Sequence, residues 1–306
     1  MNPSKSPLFY GCATALVTPF QNGELDREAY IRLLRRQLDI EGKDRVSALV
    51  VCGTTGESAT LTDAEKEWLI SVAVGESLAS KRPIPIIAGT GSNNTSRAVE
   101  LSRMAEDCGA DGLLVVTPYY NKASQEGLIR HYEAIAEATA LPVILYHVPS
   151  RTGCKLTPET CRILSEDPRI AGLKDATGDV SFTARVAALC GKALPIYAGN
   201  DDQTLPVLSL GGQGVISVVS NLLPHRMSRL CRLWREGRCV EAAAEQLSLL
   251  PLCEALFCEV NPIPVKAGMA LAGLCGDEVR LPLATADAAV RQRVWEAYEK
   301  CGGMRG

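Results

Sequence analysis

The chain has 306 residues, of which 46% are hydrophobic and 22% charged, with a formal net charge of −3. That length fits two ordinary domains or one α/β barrel with an appendage, and the apolar fraction is enough to bury a large core. With no basic block nothing points to nucleic acid or an anionic membrane surface, and no apolar stretch approaches the roughly 18 residues of a membrane span.

Residues 1–10 read as an N-terminal tail, loosest over 1–7. Leu8 to Phe20 is fairly apolar, but the preceding flank offers only Lys5 and Thr18-Pro19 ends the run in a turn signature. A first buried strand is therefore expected there rather than a signal peptide core, which leads to an expectation of a cytoplasmic protein. Short apolar runs then recur: Cys12–Val17, Ala48–Cys52, Ile84–Ala88, Gly112–Thr117, Pro142–His147, Ile170–Lys174, Leu194–Ala198 and Gly214–Val219. They lie roughly 20 to 37 residues apart, the spacing of successive βα units rather than of hairpins.

Amphipathic helical patterns fill the gaps. Thr62–Ser80 opens with the capping box Thr62-x-x-Glu65. Glu126–Thr139 gathers Leu128, Ile129, Tyr132, Ile135 and Ala136 on one face, and Thr157-Pro158 starts another helix with threonine as cap and proline in the first turn. Eight such units match a closed (β/α)8 TIM barrel over 11–237, a fold of about 250 residues. From 238 to 306 helical periodicity continues without a convincing strand, so a C-terminal helical domain of two or three helices is expected.

The twelve cysteines carry no C-x-x-C spacing, and the three histidines, His131, His147 and His225, are scattered. Cys12, Cys52 and Cys190 lie in apolar runs where cysteine acts as a small hydrophobe, so neither metal nor disulfides are expected.

Barrel active sites form at the C-terminal ends of the strands, so the residues at the end of each run and just beyond it are the candidates for chemistry. Lys174 ends the sixth run, Ile170-Ala171-Gly172-Leu173, and is followed by Asp175-Ala176-Thr177-Gly178. An amine held at a buried strand end loses hydration, which favours the neutral form that attacks carbonyl carbon to give a Schiff base. The second run ends in Gly53-Thr54-Thr55-Gly56-Glu57-Ser58, a tight turn whose amides and hydroxyls suit a carboxylate. Tyr146 ends the fifth run, and a phenol can pass a proton to and from a carbinolamine at Lys174. Arg151, five residues on, offers a two-pronged grip on a second carboxylate. Singly, each of these residues also suits an ordinary turn, core or surface position; together they fall on one rim.

Phosphate sites in barrels usually lie in the loops after strands seven and eight. Here Gly199-Asn200-Asp201-Asp202 is acidic and Ser220-Asn221-Leu222-Leu223 lacks a glycine cradle, while Gly211-Gly212-Gln213-Gly214 precedes strand eight and belongs to the opposite rim. No phosphosugar, pyridoxal phosphate or other cofactor is expected.

Gly53-Thr54-Thr55-Gly56-Glu57, Thr117-Pro118-Tyr119-Tyr120, Tyr146-x-x-Pro149-x-Arg151-Thr152-Gly153 and Gly172-Leu173-Lys174-Asp175-Ala176-Thr177 resemble the 4-hydroxy-tetrahydrodipicolinate synthase (dihydrodipicolinate synthase) family. The similarity runs from about Gly11 into the tail at Asn261-Pro262-Ile263-Pro264-Val265-Lys266. The resemblance implies a lyase that condenses pyruvate with aspartate 4-semialdehyde on the diaminopimelate route to lysine. It implies Lys174 as the Schiff-base residue, with Tyr146, Thr54 and Tyr120 as a proton relay in which Tyr120 reaches into a neighbouring subunit's site. It implies Thr55 on the pyruvate carboxylate, Arg151 on the carboxylate of the semialdehyde, and the backbone of Gly199 and Ile216 along the pocket. A dimer is then required, and the family is commonly a dimer of dimers. N-acetylneuraminate lyase-like and 2-keto-3-deoxy sugar acid aldolases resemble the same barrel, but generally lack an arginine at position 151. A barrel that keeps the pocket and acts as a pyruvate-binding regulatory protein is the alternative outside enzymes.

Feedback-inhibited members bind lysine at a dimer interface, and Ser58, Ala59, Asn93 and Tyr119 resemble that site. Asp63, Lys66 and Arg97 stand where sensitive members tend to carry histidines and a glutamate, which leads to an expectation of weak or absent lysine inhibition. His147 stands where asparagine is more usual in the family, and the sequence offers no physical reason for it.

Overall fold

The computed structural model describes residues 5–304. Eight parallel strands close into a barrel: β1 (Gly11–Ala15), β4 (Ala48–Val51), β5 (Ile86–Gly89), β6 (Gly112–Val116), β7 (Val143–His147), β8 (Ile170–Asp175), β9 (Ile196–Ala198) and β10 (Gly214–Ser217). β10 pairs with β1 and β1 with β4, so no strand edge is left open. The strands fall on the eight apolar runs, with ends displaced by one or two residues in most of them.

Side-chain alternation divides the core into two layers. Ala13, Val50, Ile87, Leu114, Ile144, Tyr146, Tyr197 and Ile216 pack inside the barrel. Cys12, Leu49, Ile86, Leu113, Val143, Leu173, Ile196 and Val215 face the surrounding helices. This parity decides where the chemistry can sit. Leu173 points outward, so Lys174 points inward, directly in register with Tyr146 on β7. Asp175 points outward again and accepts hydrogen bonds from the Thr183 hydroxyl at 2.6 Å and the Thr177 hydroxyl at 2.7 Å.

The helices are α1 (Arg27–Leu38), α2 (Asp63–Ala79), α3 (Thr95–Asp107), α4 (Gln125–Glu137), the single turn α5 (Pro149–Thr152), α6 (Pro158–Ser165), α7 (Val180–Cys190), α8 (Thr204–Ser209) and α9 (Pro224–Arg235). Thr62 and Glu65 form the expected reciprocal capping box. Three helices complete the chain: α10 (Cys239–Leu256), α11 (Ile263–Leu271) and α12 (Ala288–Lys300). Among the described residues no helix is long and apolar enough to cross a membrane.

Two features differ from the sequence expectation. A small antiparallel hairpin, β2 (Phe20–Gln21) and β3 (Glu24–Leu25), comes after β1, and its two-residue strands are too short to show any periodicity. The segment 1–7 is not loose throughout: residues 1–4 lie outside the described residues, but the Lys5 amine donates to the carbonyls of Ser165, Asp167 and Ile170 at 2.7, 2.5 and 2.8 Å. Lys5 thereby satisfies carbonyls at the end of α6 and the start of β8. Phe9 stacks on Tyr197 with ring centroids 4.3 Å apart, and the Tyr197 hydroxyl donates to the Phe9 carbonyl, closing the lower end of the barrel.

Candidate active site

A cleft of about 540 Å³ opens at the C-terminal rim, between the ends of β4 to β7 and the C-terminal segment. Thr54, Tyr146 and Arg151 line it, as do Ser58, Ala59 and Tyr119. Lys174, Thr55, Gly199, Ile216, Tyr120 and Asn93 do not line the open cleft. Lys174 is 6% exposed, and its Nζ lies over the ring of Tyr146, 4.3 Å from the centroid. The amine thus sits behind the phenol that forms the cleft wall, in the buried interior of the barrel.

The turn after β4 is tightly wound. The amides of Gly56 and Ser58 donate to the Gly53 carbonyl and that of Glu57 to Thr54, with Cys52 and Glu57 at φ of 54°. Among the described residues no acceptor takes the amides of Thr54 and Thr55, which leaves two adjacent N–H groups for an anion. The close approach of β5 requires Gly89, because a Cβ there would lie 2.2 Å from the Cys52 carbonyl oxygen. Gly199 is equally constrained: a Cβ would come within 2.6 Å of the Ala176 Cβ. Ile216 is fully buried in the barrel interior alongside Tyr146.

The turn is held from outside the barrel by residues to which the motifs assigned no role. Asn261, in the tail between α10 and α11, donates from Nδ2 to the Thr55 hydroxyl at 3.0 Å, while its buried Oδ1 has no partner among the described residues. Lys266 of α11 is fully buried and pairs with Glu57 at 2.7 Å while also donating to the Thr18 carbonyl at 2.8 Å. The other Glu57 oxygen accepts from the Arg280 amide at 3.0 Å. Burial lowers the Lys266 pKa and the Glu57 charge opposes that shift. Arg280 pairs with Glu65, holding its carboxyl down to about 2, and Lys266 and Arg280 both lie over the Phe20 ring. Asn261 and Lys266 belong to the tail run that carries the family resemblance, so the signal was present, but their partners lie 206 and 209 residues away.

Charge in the cleft is cationic. Lys66, Arg97 and Arg151 line it, and Glu57, the one carboxylate lining it among the described residues, is already neutralised by Lys266. Arg151 sits exposed on α5 without an ion pair among the described residues. Arg97 is engaged by both Asp63 and Glu100. Asp201, fully enclosed behind β10, accepts from the amides of Val218 and Val219 at 2.9 and 3.0 Å, and burial raises its pKa.

Tyr120 projects away from this cleft. It is 89% exposed at a φ of 73°, and its amide donates to the Thr152 carbonyl at 3.3 Å. The neighbouring Thr117 hydroxyl donates to Thr152 at 3.2 Å. A large residue in the left-handed region costs about 1–2 kcal/mol, so an aromatic ring is held in water at an energetic cost. His147 now has a physical account. It faces outward from β7, accepts from the Leu156 amide at 3.0 Å and packs edge-on against Phe182. Burial lowers its pKa to about 4, so it serves as a neutral acceptor in the outer layer and takes no part in the cleft.

Residues 8–300 match the model of the dihydrodipicolinate synthetase family. The chain belongs to that family. One relative, the 4-hydroxy-tetrahydrodipicolinate synthase of Citrifermentans bemidjiense, is 48% identical over 277 residues, 90% of this chain and 93% of its own. Among solved structures, the dihydrodipicolinate synthase of Thermotoga maritima superposes with a TM-score of 0.92 at 43% identity, covering 96% of this chain and 99% of its own. A chain described as the first monomeric dihydrodipicolinate synthase variant gives a TM-score of 0.93 at 43% identity, covering 97% and 98%. Dihydrodipicolinate synthetase family membership accounts for the closed barrel, the helical tail and the order of the rim motifs together.

Proposed function

We propose that this chain is a 4-hydroxy-tetrahydrodipicolinate synthase, condensing pyruvate with L-aspartate 4-semialdehyde through a Schiff base on Lys174. The observation that carries this reading is an inward-facing, buried lysine against Tyr146, below a cationic cleft in which Glu57, the one carboxylate lining it among the described residues, is neutralised. Both substrates are carboxylates, and the rim offers them two separate grips. The free amides of Thr54 and Thr55 suit the pyruvate carboxylate, and Arg151 suits that of the semialdehyde.

The chemistry then runs in the following order. The Lys174 amine adds to C2 of pyruvate, and the carbinolamine loses water as Tyr146 passes a proton to the departing oxygen. Loss of a methyl proton gives an enamine, whose carbon adds to the aldehyde and leaves a hydroxyl at that centre. The amino group of the semialdehyde then displaces Lys174 from C2, closing the six-membered ring and restoring the amine. Thr54 and Tyr120 complete the proton path, with Tyr120 supplied by a second copy of the chain. Its exposure and its left-handed backbone support that role. The site is then complete only in a dimer, which a dimer of dimers would also satisfy. The backbone of Gly199 and Ile216 borders the inner part of the pocket, no cofactor is required, and the reaction is placed in the cytoplasm.

At the position of the family's effector site, Ser58, Ala59 and Tyr119 line the same cleft and Asn93 accepts from Asn121. Arg97 occupies Asp63 and Glu100, which softens its own repulsion toward an ammonium group but leaves neither carboxylate free for one. Lysine inhibition is therefore weak or absent. A coupled assay with pyruvate and aspartate semialdehyde, run beside N-acetylneuraminate cleavage, tests the reading. Turnover of the first pair alone is expected, and cleavage of the sugar acid alone would replace it with the aldolase alternative.

A further inference from the structure

We propose that the N-terminal face of the barrel carries a second ligand site, for a small organic polyanion bearing at least two phosphate or carboxylate groups. A cavity of about 430 Å³ opens there, at the entry to β1 and β10, on the rim opposite the cleft. Its volume is that of a small-molecule site. Lys43, Arg45, Arg232 and Arg235 line it, and no carboxylate among the described residues does. Four cations share one concavity in a chain whose net charge is −3.

Ion pairing does not account for them. Arg232 is held by Asp44 and Glu236, and Glu236 is shared with Arg238. Those bonds use the acidic groups beside the cavity, and Lys43, Arg45 and Arg235 make no ion pair or side-chain hydrogen bond among the described residues. Unpaired like charges gathered in a concavity raise the local concentration of multivalent anions. A lone surface lysine does not.

The wall adds a polar group but no free one: Ser228 lines the cavity at 5% exposure, with its hydroxyl buried against the Cys12 thiol. The amides of the glycine-rich wall leave nothing further to offer. Those of Gly11, Gly211, Gly212 and Gln213 already donate to Gln213, Leu208, Val207 and Ile196. Recognition falls to the flexible cations at the mouth. Burial pushes the thiols of Cys12 and Cys231 up, so they stay neutral beside it.

The test is calorimetric titration of the full chain at fixed ionic strength, with pyrophosphate in one arm and citrate in the other. One saturable site per chain, with Kd below millimolar, is expected for at least one probe. Binding of pyrophosphate alone identifies the natural ligand as phosphorylated, and binding of citrate alone as a polycarboxylate. The double variant Arg45→Ala/Arg235→Ala should bind at least tenfold more weakly with turnover unchanged, since neither residue borders the cleft. Lys174→Ala should bind as the parent does. Should the double variant fold poorly, the exposed Lys43→Ala alone should weaken binding severalfold. No saturable binding of either probe, or binding that survives loss of these cations, would overturn the proposal.

Discussion

Removing the Lys266 ammonium should injure both stability and pyruvate binding. Lys266 and Glu57 are both almost completely shielded from solvent, 2.7 Å apart, and Lys266 also satisfies the Thr18 carbonyl. In Lys266→Ala, Glu57 keeps only the Arg280 amide, and breaking a buried pair from one side costs about 3–5 kcal/mol. At a few degrees per kcal/mol, that lowers Tm by on the order of 10 °C. Removing both charges with Glu57→Gln/Lys266→Met should recover most of the loss, because no charge is then left buried alone. Glu57 also ends the turn that presents Thr54 and Thr55, so the single variant should raise KM for pyruvate more than it lowers kcat. Thermal unfolding and steady-state kinetics on the parent, Lys266→Ala and the double variant measure this. If Lys266→Ala loses less than about 1 kcal/mol and keeps its pyruvate KM, the tail does not hold the turn.

Arg151→Ala should lower kcat/KM for the semialdehyde about 10- to 100-fold, the value of a charge-assisted hydrogen bond of about 1.5–3 kcal/mol, and leave pyruvate KM nearly unchanged. Tyr120→Ala should lose about 100-fold in kcat, and co-expression with Lys174→Ala should restore part of the activity, since one site in a mixed dimer keeps both groups. No restoration would place Tyr120 outside the partner's site. Turnover should persist at millimolar lysine, and strong inhibition below that concentration would contradict the occupied state of Asp63 and Glu100. Stability should fall on acidification through the two buried histidines, His131 and His147, each lowered from 6.5 to about 4. Below pH 6.5 the unfolded chain binds protons that the folded chain refuses, so their contribution is full above that pH. It is lost progressively down to about pH 4, by about 3 kcal/mol each at most. A His147→Gln variant should show a shallower loss between those limits in pH-dependent denaturation.

The barrel and the inner face of the site were legible because strand parity and strand ends are local properties. Leu173 outward makes Lys174 inward, and the same alternation places Tyr146 beside it. What holds the site is not local. The bond from Asn261 to Thr55, the pair of Lys266 with Glu57 and the clasp of Arg280 on Glu65 join residues more than 200 positions apart, and no periodicity reports them. Lys5 was unreadable for the same reason, since its carbonyl partners lie about 160 residues on. His147 looked anomalous in a site motif because it adjoins Tyr146, whereas parity sends it to the opposite face.

Reduction with borohydride in the presence of pyruvate tests the central claim most directly. Intact-mass and peptide analysis should show one reduced pyruvyl group per chain, carried on the peptide containing Lys174 and absent from Lys174→Ala, which should also lose turnover. A parent chain that gains no mass, or a Lys174→Ala variant that retains most of its activity, would contradict the account.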